Sequence, residues 1–178
     1  MHTEMQPRQI VIETLRPEID AGRFPAKATL GETVRVDASI FTDGHDALAA
    51  RLLHRRRGEE TWHETPMTPQ GNDRWDAGFR PASLGVYEFT VEAWVDRFAT
   101  WRRDLARKHA AGTVEAMDLR IGASLLKQAA ARAGGLDAER LHAEAESLET
   151  EEPPPDAIAR ALESVLARLA ARYTGRDG

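Results

Sequence analysis

The sequence predicts a β-sandwich of immunoglobulin type followed by an α-helical bundle. Between residues 10 and 94, apolar and polar residues alternate in six short segments that are separated by turn residues. Alternation with a period of two is typical of strands that bury one face, and regularly spaced short strands are typical of a sandwich. After Asp96 the apolar spacing changes to three and four, as between Phe98, Trp101 and Leu105, which indicates helices.

The composition is that of a globular protein, with 42% apolar and 30% charged residues among 178. The chain contains no cysteine, which excludes disulfides, thiolate metal sites and thiol nucleophiles. No signal peptide or long apolar run is visible, so we expect a cytoplasmic protein without membrane contact. The net charge is −5 and neither half is basic, so we expect no nucleic-acid partner.

Turn residues and alternation together place the six strands in order. Residues 16–27 contain two prolines and a glycine and are expected to form an irregular connection after the first strand. Asp43-Gly44 predicts a hairpin, and residues 68–73 are expected to be a turn. The predicted strands cover residues 10–12, 34–40, 48–52, 61–67, 74–80 and 87–94. A complete sandwich of this type has seven strands, so one is missing from the count.

Four helices are predicted in the second half. Thr113 and Asp137 are residues that commonly cap helix N-termini, while Gly112 and Gly134-Gly135 interrupt the helical pattern. Three consecutive prolines at 153–155 then exclude a helix interior. The four helices are expected over residues 98–108, 113–133, 137–148 and 156–173.

The last predicted helix has an apolar stripe. It consists of Ile158, Leu162, Val165, Leu166 and Leu169, at spacings of four, three, one and three. An amphipathic stripe of this kind requires a partner surface. We therefore expect Leu162 and Leu169 to pack within the helical part or against a second subunit.

Histidines and carboxylates do not form a recognisable reactive set in the sequence. His45 lies between Asp43 and Asp46 and could ligate a metal, but the same residues form a common polar turn, which we favour. His54 and His63 are expected to pair across a hairpin on the sheet surface. Phosphate-binding loops, nucleophile elbows and metalloprotease motifs are absent from the sequence. The sequence therefore predicts no catalytic residue, no cofactor and no metal site.

The tryptophans leave two interpretations open. Large aromatic side chains dominate cores and interfaces, but an exposed tryptophan can also stack on a sugar ring. We expect Trp75 in the core, and we hold Trp62, Trp94 and Trp101 as candidates for an interface or a sugar contact, with packing favoured. Alternation places Trp94 on the outer face of its strand.

Four stretches of the chain form a distinctive series. They read RPEIDAGRFPAK at residues 16–27, GETVRVDASIFTDGHD at 31–46, GNDRW at 71–75 and LGVYEFTVEAWVDRFATWRRDL at 84–105. In this order they resemble the N-terminal domain of the bacterial α-1,4-glucan:maltose-1-phosphate maltosyltransferases, which belong to glycoside hydrolase family 13. The resemblance is close over residues 8–109 and looser through the helical half.

The resemblance implies a sandwich with a helical insertion, which we place at residues 8–96 and 97–173. Residues 1–7 and 174–178 are expected to be flexible termini. The resemblance also implies that a strand following the helices completes the sandwich. Both parts are then expected to contribute to a homodimer interface, and a separate (β/α)₈ barrel is expected to carry the catalytic carboxylates. The chain by itself is then expected to be non-catalytic, with its own barrel domain and a second copy as partners.

Two other functions stay open from the sequence. The first is a glucan-binding module that stacks sugar rings on Trp62 and Trp94, with α-glucan as an additional partner. The second is a free-standing immunoglobulin-like adaptor with a helical tail.

Overall fold

Seven strands precede five helices in the computed structural model, which describes residues 9–175. The chain divides into a β unit that ends at Val95 and a helical unit that begins at Asp96. The predicted flexible termini lie outside the described residues, except for Thr174 and Gly175. The Thr174 hydroxyl donates to the carbonyl oxygen of Ala171 at 3.3 Å.

The β unit consists of two antiparallel sheets. The strands are β1 (Ile10–Arg16), β2 (Val34–Thr42), β3 (Leu48–Arg56), β4 (His63–Pro66), β5 (Thr68–Gly71), β6 (Arg74–Phe79) and β7 (Tyr87–Val95). One sheet has the order β1-β2-β6-β5 and the other the order β4-β3-β7. Three strand pairs join consecutive strands, whereas the pairs β2–β6 and β3–β7 join strands that are distant in sequence. Because β2 and β3 lie in different sheets, the hairpin predicted at Asp43-Gly44 is wrong.

Residues from both sheets meet in one apolar core. Val36 and Ile40 of β2 and Trp75 of β6 are buried from one sheet, and Leu52 and Val91 are buried from the other. Alternation predicts each of these side chains to face inward, because successive strand residues point to opposite faces. The sandwich predicted from the sequence is confirmed in this coarse form, and its immunoglobulin type stays a prediction.

The strand missing from the sequence count is β5, which lies where a turn was predicted. The chain leaves the three-stranded sheet after β4, passes the buried Met67, and joins the other sheet as β5. All four β5 residues are exposed, so no alternation marks the strand. Pro69 is tolerated because β5 is an edge strand that pairs on one side only. Within residues 96–175 no further strand follows the helices.

The helical unit contains three long helices and two short ones. These are α1 (Arg97–Ala111), α2 (Ala116–Ala130), α3 (Gly135–Glu149), α4 (Ala157–Leu162) and α5 (Ser164–Ala171). Asp96 caps α1, since its Oδ1 accepts from the backbone N–H of Ala99 at 2.8 Å. Gly112 ends α1 in the left-handed conformation, with φ of 67°.

Two predicted helix caps are wrong. The N-cap of α2 is Glu115 rather than Thr113, and Asp118 reaches back to accept from the Glu115 N–H at 2.9 Å. The N-cap of α3 is Gly134 rather than Asp137. Asp137 lies within the first turn, where its carboxylate accepts from the Tyr173 hydroxyl at 2.8 Å. The Asp137 side chain is therefore engaged in a contact with Tyr173 and does not cap the N-terminus of α3.

The single last helix predicted at 156–173 is also wrong, because the chain is extended at Glu163 between α4 and α5. The cause is Arg102 of α1. Its Nε donates to the carbonyl oxygen of Ala161 at 3.0 Å, and its Nη2 donates to the carbonyl oxygens of Leu162 and Glu163. The carbonyls of Ala161 and Leu162 end α4 and have no partner within that helix, so the guanidinium satisfies them. The Glu163 carbonyl also accepts from the Ala167 N–H of α5 at 3.2 Å.

Candidate functional site

The β unit contains an apolar cleft of about 980 Å³ between two irregular segments, residues 17–30 and 81–86. Its floor is formed by Val34, Phe79 and Phe89, which also pack in the sandwich core. We refer to this space as the apolar cleft. Its floor is continuous with the core, so the cleft opens the sandwich interior on one side.

The first wall of the apolar cleft has a defined backbone. Ile19 and Phe24 form an isolated antiparallel bridge, with the Phe24 N–H donating to the Ile19 carbonyl at 3.3 Å. Between them the chain turns through Asp20, Ala21 and Gly22, which have φ values of 51°, 52° and 76°. This wall corresponds to the connection that the sequence predicts to be irregular, and it contains the first stretch of the resemblance.

The second wall is held by Tyr87. Its hydroxyl oxygen accepts from the backbone N–H groups of Ala82 and Ser83 at 3.1 and 3.2 Å. The hydrogen bonds from Ser83 lower the pKa of the Tyr87 hydroxyl, because they stabilise the phenolate form. Both walls are therefore built by hydrogen bonds within the β unit.

Apolar side chains are exposed around the apolar cleft. Five of the ten large exposed apolar residues in the described part of the chain lie at or beside it: Ile19, Phe24, Leu30, Leu84 and Val86, between 45% and 77% exposed. Contiguous exposed apolar residues usually mark a contact surface. Sequence reasoning missed this site, because these residues lie in irregular segments with no periodic pattern.

The predicted candidates Trp62 and Trp94 lie on the outer face of the three-stranded sheet. Trp94 pairs with Ala49 of β3, and the next residue of β3, Ala50, is buried in the core. Because successive strand residues point to opposite faces, Ala49 and Trp94 face outward. The Arg55 guanidinium lies 4.3 Å from the ring centroid of Trp62. Both tryptophans are half-buried. A role for them in an interface or sugar contact stays a prediction.

Arginine–glutamate pairs occupy the same outer face. Arg51 contacts Glu64 of β4 and Glu92 of β7, and the Arg55 Nη2 lies 3.1 Å from the Glu88 carboxylate. Hydrogen bonds from Arg57 and Arg55 hold the pKa of Glu88 below its ordinary value. The charges on this face are therefore largely compensated by one another.

Trp101, the third predicted candidate, is enclosed in the helical unit. Its side chain is 7% exposed, and its indole Nε1 donates to the Asp118 carbonyl at 2.7 Å. An enclosed ring has no free face for a sugar, so Trp101 is a core residue. Of the two leucines, Leu169 is buried in the same core and Leu162 is half-buried beside it. Trp101 and the two leucines therefore belong to the helical unit, whereas Trp62 and Trp94 belong to the β unit.

His54 and His63 form the predicted cross-strand pair, with ring centroids 5.3 Å apart. His54 also stacks on Phe79 of the other sheet at 4.3 Å, so it faces inward rather than lying on the surface. Burial and the neighbouring His63 lower the pKa of His54. Among residues 9–175, three or more metal-ligating side chains do not converge anywhere, and no helix is long and apolar enough to span a membrane.

An ion pair links the first two helices. The Lys108 Nζ lies 2.5 Å from Oδ1 of Asp118, the residue whose other oxygen accepts from Glu115. The Lys108 hydrogen bond lowers the pKa of the Asp118 carboxyl, and the Glu115 N–H adds to this effect. These charges serve the packing of α1 on α2.

Comparison with known proteins gives one consistent family. A family model described as alpha-1,4-glucan:maltose-1-phosphate maltosyltransferase, domain N/S, matches residues 8–178. The curated relatives carry the same enzyme name. The protein of Chlorobaculum tepidum is 50% identical over 135 residues, which are 76% of this chain and 20% of that protein. The protein of Myxococcus xanthus is 41% identical over 175 residues, which are 94% of this chain and 26% of that protein.

A third relative, from Pseudomonas aeruginosa, is 43% identical over 129 residues, or 72% of this chain and 19% of that protein. The chain therefore spans between about a fifth and a quarter of the length of these relatives.

Proposed function

The chain belongs to the family of the N/S domain of alpha-1,4-glucan:maltose-1-phosphate maltosyltransferases, and we propose that it is the non-catalytic support and dimerisation domain of such an enzyme. In this proposal the whole enzyme transfers maltosyl units from α-maltose 1-phosphate to the non-reducing ends of α-1,4-glucans. A (β/α)₈ barrel elsewhere in the polypeptide supplies the catalytic groups. We also propose a cytoplasmic location.

The observation that carries this proposal is the match of the chain to one domain of much longer relatives. The matched region is only 19% to 26% of each relative, so most of the named enzyme lies in other polypeptide. Several charged side chains form ion pairs that connect neighbouring strands or helices, such as Arg51 with Glu92 and Lys108 with Asp118. Such pairs support packing rather than a reaction.

Support for dimerisation comes from the surface of α2. Met117 and Ile121 are 59% and 47% exposed and lie one helical turn apart. Residues four apart share a helix face, so the two side chains form a small apolar surface. A helix with such a surface is suited to packing against a second subunit.

The test compares the full-length enzyme with the 178-residue chain. Phosphate release from α-maltose 1-phosphate is measured in the presence of a maltooligosaccharide acceptor. We expect release by the full-length enzyme and none by the 178-residue chain. Maltosyl transfer by the 178-residue chain would show that the support role is wrong.

A second candidate function is glucan binding, which one observation favours. Trp62 and Trp94 lie on the same outer sheet face, near opposite ends of β3, where Arg55 and Ala49 are their neighbours. Six residues of a strand span about 20 Å, which is long enough for several sugar rings. Titration with maltoheptaose should then change tryptophan fluorescence, and Trp94→Ala should abolish the change. No change at millimolar maltoheptaose would remove this candidate.

A further inference from the structure

We propose that the His54–His63 pair makes one edge of the sandwich sensitive to acid, so that residues 60–65 detach from β3 when the pH falls below neutral. These residues include most of β4 and carry Trp62. The response is a property of the β unit, so it goes beyond the proposed function and does not depend on it.

The pair lies where the β3–β4 ladder ends. His63 is the first residue of β4 and is paired with His54 of β3. β4 is a short edge strand that pairs with β3 only, and the ends of such strands open at low free-energy cost. The other end of β4 is anchored, since the adjoining Met67 is buried and its N–H donates to the Ala50 carbonyl at 2.9 Å. Detachment therefore begins at His63 and stops before Met67.

The surroundings of His54 suit a neutral ring. Its ring centroid lies 5.3 Å from that of His63 and 4.3 Å from that of Phe79 in the other sheet. Its Nδ1 is buried, and no group among residues 9–175 forms a hydrogen bond with it. A neutral imidazole has one nitrogen without a proton, whereas the charged ring has an N–H on both nitrogens. Protonation of His54 therefore places either a buried donor without an acceptor or a charge against an apolar ring.

The charged and titratable groups around His54 do not compensate a proton on its ring. They are His63 of β4, Glu59 of the turn after β3, Arg56 of β3 and Tyr87 of β7, while β6 contributes the apolar ring of Phe79. Glu59 attracts a proton on His54, but its Oε2 already accepts from the Arg56 N–H at 3.1 Å. The Tyr87 hydroxyl accepts from two backbone N–H groups, and His63 repels a charge on His54.

These surroundings set the direction of the acid response. Burial, and then the neighbouring His63, lower the pKa of His54 in the closed edge, although Glu59 acts in the opposite direction. When the edge opens, His54 regains its ordinary pKa of 6.5 and binds a proton more readily. The closed edge is therefore fully stable above pH 6.5 and loses stability as the pH falls through the lower pKa of the closed form.

Detachment changes the outer face of the three-stranded sheet. It separates Trp62 from Arg55, whose guanidinium lies 4.3 Å from the centroid of the indole ring. It also separates Glu64 from Arg51, which then keeps Glu92 as its partner. The face on which glucan binding is the second candidate function therefore loses one of its two tryptophans in acid.

The experiment measures amide hydrogen exchange of the full-length enzyme between pH 7.5 and pH 5.0 with peptide resolution. Protection factors are taken against the intrinsic exchange rate at each pH, which removes the pH dependence of the exchange chemistry. We expect protection of residues 60–65 to fall by at least about threefold between these pH values. The upper limit is roughly thirtyfold, because pH 5.0 lies about 1.5 below the ordinary pKa of histidine. Peptides from β2 should keep their protection.

Three variants identify the group that titrates. His54→Leu keeps an apolar contact with Phe79 and cannot bind a proton, so protection of residues 60–65 should no longer depend on pH. His63→Gln removes the like charge, so the loss of protection should be smaller than in the wild type. His142→Gln is the control, because His142 is exposed on α3, and it should behave as the wild type.

Constant protection of residues 60–65 in the wild type, or an equal loss in the wild type and His54→Leu, would overturn the proposal. A second measurement on the wild type requires no variant. Exchange of the imidazole Cε1 hydrogen, followed by mass spectrometry, titrates each histidine separately, and we expect His54 to titrate at a lower pH than His142. Titration of His54 at the same or a higher pH would also overturn the proposal. Phosphate release tests the proposed function independently of these outcomes.

Discussion

Gly122 lies directly against the indole ring of Trp101, and a Cβ atom added at Gly122 would stand 1.9 Å from Cζ2 of that ring. One turn earlier, the Asp118 carbonyl accepts a hydrogen bond from the same indole at 2.7 Å. The ring therefore lies flat across α2, and the absence of a side chain at position 122 allows α1 to approach closely. This contact fixes the packing of the first two helices.

The first prediction is that Gly122→Ala destabilises the helical unit. Alanine raises helix propensity by about 1 kcal/mol, but the added methyl overlaps a buried ring and forces a shift of roughly 1–3 kcal/mol cost. We expect a net decrease in the free energy of unfolding, measured by urea denaturation followed by circular dichroism. Gly134→Ala is the control, because nothing lies within 4 Å of its added Cβ. A Gly122→Ala variant as stable as wild type would contradict the close contact.

The second prediction concerns Arg102. Arg102→Met removes the donors to the carbonyls of Ala161 and Leu162 and leaves these two groups poorly satisfied, whereas the Glu163 carbonyl keeps the Ala167 N–H as a donor. Each unsatisfied buried group costs about 1–3 kcal/mol, so residues 157–171 should exchange amide hydrogens faster. Hydrogen exchange with peptide resolution checks this, with Arg103→Met as the control at an exposed neighbouring arginine. Unchanged exchange in α4 and α5 would show that Arg102 does not hold the break.

The third prediction is an acid-dependent loss of helical stability through Asp118. Lys108 and the Glu115 N–H lower the pKa of Asp118 in the folded state. The stabilisation is therefore full above the unfolded pKa of about 3.9 and is lost as the pH falls through the lower folded value. Asp118→Asn keeps the shape and should remove this part of the pH dependence.

Urea denaturation of wild type and variant between pH 2 and pH 7 measures the difference. Asp104→Asn serves as the control, because the Asp104 pair with Arg107 is on the exposed side of α1. Parallel stability curves for wild type and Asp118→Asn across this range would refute the linkage.

The fourth prediction separates the two parts of the apolar stripe. Leu169→Asp places a charge in the helical core, where the side chain is 6% exposed, and should lower the unfolding free energy by about 3 kcal/mol or more. Val165→Asp should have little effect, because Val165 is 42% exposed. Thermal unfolding compares them. Leu162→Asp should lie between the two, since Leu162 is half-buried.

The fifth prediction concerns the proposed dimer. Met117→Glu together with Ile121→Glu places two charges on the exposed face of α2 and should lower the mass of the full-length enzyme in light scattering. Leu136→Glu, on exposed α3 surface, should leave the mass unchanged. If the variant with both α2 substitutions still formed the dimer, the dimer interface would not include this surface of α2.

Local patterns determined most of the β unit. One face of β2 is buried, and its apolar residues Val36, Ala38 and Ile40 therefore alternate with polar residues along the strand. This pattern involves only residues that are close in sequence, so it can be recognised without the tertiary structure. The helical part also has a local pattern. The spacing of Phe98, Trp101 and Leu105 places all three on one face of α1, and each is buried in the core of the helical unit. The family could also be predicted from the sequence, because four long stretches in one order are specific.

The tertiary structure alone decided features whose causes are distant in sequence. β5 forms because β6 offers it a free edge, although no residue of β5 is buried. Arg102 ends α4 from a position about sixty residues away. The apolar cleft arises where residues 17–30 meet residues 81–86. Periodicity records only which face of a segment is buried, whereas edges, distant hydrogen bonds and clefts depend on which segments become neighbours after folding.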